Sequence, residues 1–276
     1  MRIFACTYLT GTMDRMKLTF YKYQGTGNDF IVLDGRTRVP TLTSEQIAAL
    51  CDHRKGIGAD GLMILLSHPE YDFEMLYFNA DGHPGSLCGN GARCLTRFAA
   101  DLGMEKTDYH FLATDGAHEA RIAADGWIHL HMHPVQHIEY RGTDAILHTG
   151  SPHYIRLVEG VDQTNVVEEG RTIRYSPTHA AEGINVNFVE KTAEGLRVRT
   201  YERGVEDETL SCGTGVTAAA LACAKDTSAV QRTAISTRGG KLAVEFIRTG
   251  AHSFDNIWLC GPAQQVFTGT IDIDSL

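Results

Sequence analysis

The sequence predicts an α+β fold of two similar halves, each a group of β-strands packed on a helix that begins with a cysteine. Three observations carry this. The phrase Cys88-Gly89-Asn90-Gly91 returns as Cys212-Gly213-Thr214-Gly215, and each opens a stretch of helical character, Ala92 to Leu102 and Val216 to Lys225. Short alternating or apolar runs of strand period fill most of the remaining chain. No long Pro/Ser linker divides it, so the halves are expected to join through the sheet near residues 130–135. A length of 276 residues suffices for one large domain or two of moderate size.

The elements follow in order. Residues 1–15 read as an unstructured extension: the apolar part is short, broken by Thr7, Thr10 and Gly11, and Asp14-Arg15 is a poor cleavage context for a leader peptide. Lys17–Tyr23 alternates as a strand, Gly25 to Asp29 forms a turn, and Phe30–Leu33 is a second strand. Ser44 with Ile47, Ala48 and Cys51 marks a capped helix. Leu62–Leu66 and Phe73–Phe78 read as buried strands ahead of the first Cys-Gly helix. Tyr109–Ala113, His118–Ala123 and Trp127–Met132 form a meander. The second half repeats the scheme more loosely, with strands at Tyr154–Val158, Asn185–Val189 and Leu196–Tyr201 before the second Cys-Gly helix. Leu242, Val244 and Phe246 alternate with Ala243 and Glu245, and Val266–Ile271 is placed to return to the first half. Upstream of each cysteine lies a strand end with a polar group, at Asn79 and at Glu202, so duplication is the simpler account of the halves.

Composition narrows the function classes. The net charge of −9, without a Lys/Arg run, gives no nucleic-acid footprint. The longest apolar run, near Ala218–Ala224, is far too short to span a bilayer, so no membrane partner is expected. Seven cysteines, an odd number without compact spacing, suit a reduced cytoplasmic chain. Gly56 to Gly61 matches G-x-G-x-x-G with its context reversed, a helix before and a strand after, which argues against a dinucleotide. Gly240-Lys241-Leu242 lacks the Ser or Thr of a phosphate-binding loop. His129, His131 and His133 share one strand face with the geometry to hold a metal, but Ile128, Leu130 and Met132 form the natural core face opposite, and a polar strand face is the preferred reading. No metal and no cofactor are expected.

Cys51, Cys94, Cys223 and Cys260 read as small buried hydrophobes. Cys88 and Cys212 differ, because unpaired N–H groups and the positive helix end lower a thiol's pKa and bind anions. Two such thiols from separate domains, on opposite faces of one carbon, can invert a stereocentre: one removes a proton and the other returns one. The developing negative charge needs preorganised donors, and two helix N-termini supply them. A thiol redox protein or a metal-binding protein is the alternative from a different class.

Six further segments give this a family context. Lys22-Tyr23-Gln24-Gly25-Thr26-Gly27-Asn28-Asp29-Phe30, Gly56-Ile57-Gly58-Ala59-Asp60, Phe78-Asn79-Ala80-Asp81-Gly82, Gly150-Ser151-Pro152-His153, Asn185-Val186-Asn187-Phe188 and Tyr201-Glu202-Arg203-Gly204, with the two cysteine phrases, resemble the diaminopimelate epimerases in order and over nearly the whole chain. Proline racemase-type relatives share the paired cysteines but not the Gly-Asn-Asp-Phe turn. The resemblance implies two pseudo-symmetric α/β domains with mixed, strongly curved sheets, residues 16–131 with 264–276 and residues 132–263, and a site in the cleft between them. It implies cofactor-free interconversion of LL- and meso-diaminopimelate for lysine and peptidoglycan precursors, with a small amino-acid substrate as partner and a homodimer as one possible assembly. Cys88 and Cys212 are then the acid/base pair, tuned by His153 and Glu202. Asn28, Asn79, Asn185, Glu202 and Arg203 hold the substrate's polar ends, and Gly89, Asn90, Gly213 and Thr214 present N–H groups to its carboxylate. Two positions depart from the pattern: Ser151, where many members have Asn, and Gly61, where some have Gln. Both bear on substrate grip, with water expected to fill the gap beside Ser151.

Overall fold

The computed structural model describes residues 17–85 and 87–275, so the expected extension at residues 1–15 lies outside the described residues. Among the described residues seventeen strands hydrogen-bond into one continuous mixed sheet, with four α-helices packed on it. In the first half run β1 (Lys17–Gly25), β2 (Asn28–Asp34), α1 (Ser44–Cys51), β3 (Gly61–Leu66), β4 (Phe73–Asn79), α2 (Gly89–Asp101), β5 (Asp108–Ala113), β6 (Gly116–Ile122) and β7 (Ile128–Met132). The second half contains β8 (Ile138–Arg141), β9 (Asp144–His148), β10 (Pro152–Leu157), α3 (Val166–Arg174), β11 (Asn185–Thr192), β12 (Gly195–Glu202) and β13 (Asp207–Thr209). It continues with α4 (Gly213–Ala222), β14 (Val230–Thr237), β15 (Gly240–Arg248), β16 (Phe254–Gly261) and β17 (Gln264–Asp272).

Two pairings knit the halves. β7 pairs antiparallel with β6 on one side and with β16 on the other, so the sheet runs through the expected junction without a break. β17 returns to the first half and pairs antiparallel with β1, the return expected of Val266–Ile271. Within each half, a parallel pair sits beside an antiparallel one: β2 with β3 and then β4, β10 with β11 and then β12. That recurrence is the structural form of the repeated sequence scheme.

Both Cys-Gly helices begin earlier than their apolar residues suggest. α2 starts at Gly89 with Cys88 as N-cap, and α4 starts at Gly213 with Cys212 as N-cap. Glycine costs a helix interior about 1 kcal/mol relative to Ala, which hides these first turns from a propensity reading. α4 ends at Ala222, short of the expected Lys225. Both helices lie in the main core, where Leu95 and Phe98 of α2 and Val216 and Leu221 of α4 are fully buried. α1 is capped by Thr43 and not Ser44: the Thr43 hydroxyl accepts from the Gln46 N–H, and the Gln46 side chain accepts from the Thr43 N–H. The Thr-x-x-Gln spacing makes that capping box.

The β1–β2 hairpin turns through Thr26 and Gly27, both with positive φ, 53° and 84°. Gly tolerates this region, whereas a β-branched Thr there is an outlier that its surroundings must hold. On β7, Ile128, Leu130 and Met132 are buried in the core as expected. The opposite face is partly covered too: His129 is buried beside Arg121 and Glu245.

Candidate active site between the two helix tips

A cleft of about 1130 Å³ opens between the halves, and both cysteines line it. The helix tips meet at its base. A Cβ on Gly213 would stand 3.7 Å from the Gly89 Cα and 2.9 Å from Leu259 Cδ2. A Cβ on Gly89 would meet the same Leu259 methyl at 3.1 Å. The paired glycines therefore let the two N-termini close on one another over Leu259. Asn90 ties the tips together, its Nδ2 donating to the Ser211 carbonyl at 3.2 Å across the halves.

Of the thirteen sequence-predicted site residues, all but His153 line this cleft. Around Cys88, the sulfur lies 3.6 Å from Asn28 Oδ1, which also accepts from Asn90 Nδ2 at 3.3 Å. Asn28 Nδ2 in turn donates to Asp60. On the other side, Asn185 is nearly consumed by the protein: Nδ2 donates to Ser151 Oγ at 2.8 Å and to the Pro152 carbonyl, while Oδ1 accepts from the Arg203 N–H at 2.8 Å. Arg203 donates to the Glu182 carbonyl and reaches Ser151 Oγ at 3.5 Å. The gap expected at Ser151 is thus bridged by protein groups, and Ser151 serves as an acceptor for two neighbours.

His153 is fully buried beneath the cleft, placed there by β10, and it connects through Thr214 to the Cys212 thiol. Asn187 Nδ2 lies 3.1 Å from His153 Nδ1, and the Tyr154 carbonyl accepts from that same amide nitrogen, which fixes its orientation. The imidazole therefore accepts at Nδ1 and carries its proton on Nε2, 2.9 Å from Thr214 Oγ1. Thr214 Oγ1 lies 3.5 Å from Cys212 Sγ. Asn187, His153, Thr214 and Cys212 form one directed chain of hydrogen bonds. Asn187 was not singled out among the candidate residues, yet Asn185 and Asn187 lie two apart on one strand and so share a face, the period-2 signal that marks it. Burial and the neighbouring charges of His148 and Arg203 hold the His153 pKa down to about 3, so the ring is neutral.

The expectation that helix N-termini leave both thiols acidic is corrected. Burial pushes Cys212 up to about 12, with the Glu202 charge adding to it, against the smaller opposing effects of Thr214 and the Gly215 N–H. Cys88 is raised as well, again first by burial, while the N–H groups of Gly91 and Asn90 and the Arg93 charge pull the other way. Desolvation exceeds the helix-end effect because the sulfurs lie where the halves pack together. Glu202 accepts from Thr209 Oγ1 at 2.8 Å, and burial raises its pKa. Among the described residues three donor clusters, His129–Glu245–Cys260, Asp115–His118–His133 and Asp29–His53–Asp60, bring their ligand atoms within 4.8 Å. In the first, Arg121 and Arg232 already donate to Glu245; in the second, His118 is bonded to Asp115 at 3.0 Å. No described helix is long and apolar enough to cross a membrane.

This architecture is a two-domain α/β fold with a mixed sheet, shared with solved structures of distant sequence. A phenazine biosynthesis protein of the PhzF family from Bacillus anthracis superposes with a TM-score of 0.72 at 15% identity, over 93% of this chain and 99% of that one. A hydroxyproline epimerase from Agrobacterium vitis superposes at 0.66 and 15% identity, over 95% and 94%. The sequence narrows this to one family. The diaminopimelate epimerase family model matches residues 20–138 and 145–266. A diaminopimelate epimerase from Flavobacterium psychrophilum is 46% identical over 93% of this chain and all of its own length, and one from Chlorobaculum tepidum is 44% identical over 90% and 99%. The chain belongs to the diaminopimelate epimerase family.

Proposed function

We propose that this chain interconverts LL- and meso-diaminopimelate by a two-thiol mechanism, without a cofactor. The observation that carries the reading is the abutment of two Cys-capped helix tips at the base of one cleft, in a chain of this family. The substrate α-carboxylate sits over Gly89-Asn90 and Gly213-Thr214, whose N–H groups stabilise the negative charge that develops when the α-carbon loses its proton. In one direction a Cys88 thiolate takes that proton and the Cys212 thiol delivers its own to the opposite face. Cys88 ends as thiol and Cys212 as thiolate, and exchange with solvent restores the starting pair. The reverse direction exchanges the roles.

Neutral His153 supports this through Thr214, whose hydroxyl is free to donate to a Cys212 thiolate because its oxygen already accepts from Nε2. Glu202 lies close enough to both sulfurs for its charge to raise both pKa values, which suits a group that accepts a thiol proton as substrate binds. Asn28, Asn79, Asn185, Ser151 and Arg203 line the cleft around the remaining polar groups of the substrate. We also retain the domain division at residues 131/132 and 263/264, supported by the β1–β17 pairing, and a cytoplasmic location, supported by the odd cysteine count. A homodimer fits the exposed Val266 and Phe267 on β17, and light scattering measures it.

The test is turnover of LL-diaminopimelate by Cys88→Ala and Cys212→Ala variants whose circular dichroism matches the parent. Each is expected to lose at least about a thousandfold in kcat, since each removes one of two required proton carriers. Near-normal turnover in either variant excludes a two-thiol reaction. Equal turnover of free proline would instead favour a proline racemase-type activity on the same fold.

A further inference from the structure

Among the described residues Arg93 is the largest fully buried side chain, at 0% exposure. Its guanidinium folds back along α2 to the helix tip. Nη1 donates to the Gly89 carbonyl at 3.2 Å, and Nη2 donates to Asn90 Oδ1 at 3.0 Å and to Thr26 Oγ1 at 3.1 Å. Nε has no partner. Every acceptor it uses is neutral. A buried guanidinium stays charged and is costly unless an opposite charge compensates it. The titratable groups acting on it are thiols: Cys94 of α2 first, then Cys88 at the N-cap of that helix and Cys260 of β16. Of these three, Cys88 is the one that opens to the cleft.

We propose that Arg93 is the fixed counter-charge of the Cys88 side of the site: held behind the tip of α2, it balances the negative charge on Cys88 when that residue is a thiolate. This rests on the reading of Cys88 as an acid/base group and adds a positioning residue to it, since Arg93 lies behind the helix tip and does not line the cleft. The other charged or titratable groups around Cys88 act against the thiolate or remain neutral. Glu202 from β12 faces it as a like charge, and the Cys212 thiol of α4 and the Tyr77 phenol of β4 couple to it. Arg93 therefore supplies a full positive charge that opposes these effects on this sulfur. The strained Thr26 and the cross-domain Asn90 serve, in this account, as neutral struts that hold the cation in place without quenching it.

The experiment reads the pH dependence of Cys88 alkylation by iodoacetamide in the full-length protein, with mass spectrometry of the Cys88 peptide separating it from the other cysteines. It needs no turnover, so its outcome is independent of whether Cys88→Ala abolishes epimerisation. Arg93→Gln removes the charge and is expected to raise the apparent Cys88 pKa by about one unit or more, which is about tenfold slower alkylation at a fixed pH below it. Arg93→Lys keeps the charge without the fork, and Thr26→Val keeps the whole guanidinium and removes one strut; both are expected to hold the parental profile. The proposal is overturned if Arg93→Gln leaves the profile unmoved, or if Arg93→Lys or Thr26→Val raises the apparent Cys88 pKa by about one unit. The lysine and valine variants keep it falsifiable even if Arg93→Gln does not fold.

Discussion

At the scale of single residues, the site stores its reactive groups in their neutral forms. With Cys212 pushed up to about 12, its alkylation rate in the free enzyme is expected to keep rising with pH through pH 10 and to show no plateau near neutrality. A plateau below pH 8 would mean that the thiol is acidic before substrate arrives. His153 makes the opposite kind of contribution to stability. Its folded pKa, about 3, lies below the ordinary value of 6.5, so the unfolded chain binds a proton that the folded one refuses. That stability is complete above pH 6.5 and is lost as pH falls toward 3. A His153→Gln variant cannot titrate, so its melting temperature is expected to fall less steeply than the parent's between pH 6.5 and 4. Parallel curves would show that His153 is not the group that charges. Most of these residues were legible in the sequence, because a thiol before Gly-x-Gly and an Asn in a tight turn are local signals. The acidity of the thiols was not: it depends on how deeply two distant segments bury one another, and that distance along the chain carries no local mark.

At the scale of elements, the helix tips are built from absences. Gly215 sits in the first turn of α4, where a Cβ would come within 2.3 Å of Asn187 Oδ1. Gly215→Ala is expected to destabilise the fold by about 1–3 kcal/mol as an overpacked contact and to lower kcat by disturbing the Asn187–His153–Thr214 chain. An unchanged denaturation midpoint with unchanged kcat would show that the neighbour yields freely. The same glycines explain what was hidden from a sequence reading. Helix propensity placed the starts of α2 and α4 three residues late, since Gly-Asn-Gly and Gly-Thr-Gly favour a helix only when tertiary packing holds them. Strands with a clean apolar rhythm, such as β1, β3 and β15, were legible. β8, β9, β14 and β16 and the helix α3 were not among the expected elements, because Glu139, Arg141, Asp144, Arg232, Asp255 and Asn256 interrupt the strand patterns and Glu168, Glu169, Arg171 and Arg174 crowd α3. These segments are stabilised by pairing with neighbours more than by their own composition.

At the scale of the whole molecule, one sheet passes through both halves and brings two remote cysteines to one place. β7 joins the halves through β6 and β16, β17 closes back on β1, and the Asn90–Ser211 bond holds the tips in register. In the proposed reaction each half presents one acid/base group, and the cleft between them leaves both faces of a carbon accessible. The most direct measurement of this claim follows epimerisation of LL-diaminopimelate in heavy water at early times, with the label read separately in product and in recovered substrate. Two thiols on opposite faces predict one deuterium at the inverted α-carbon of nearly every product molecule, delivered by an exchanged thiol, and almost none in the recovered substrate. Product that retains the original hydrogen, or substrate that acquires label as fast as product forms, would mean that a single group moves the proton and would contradict the account.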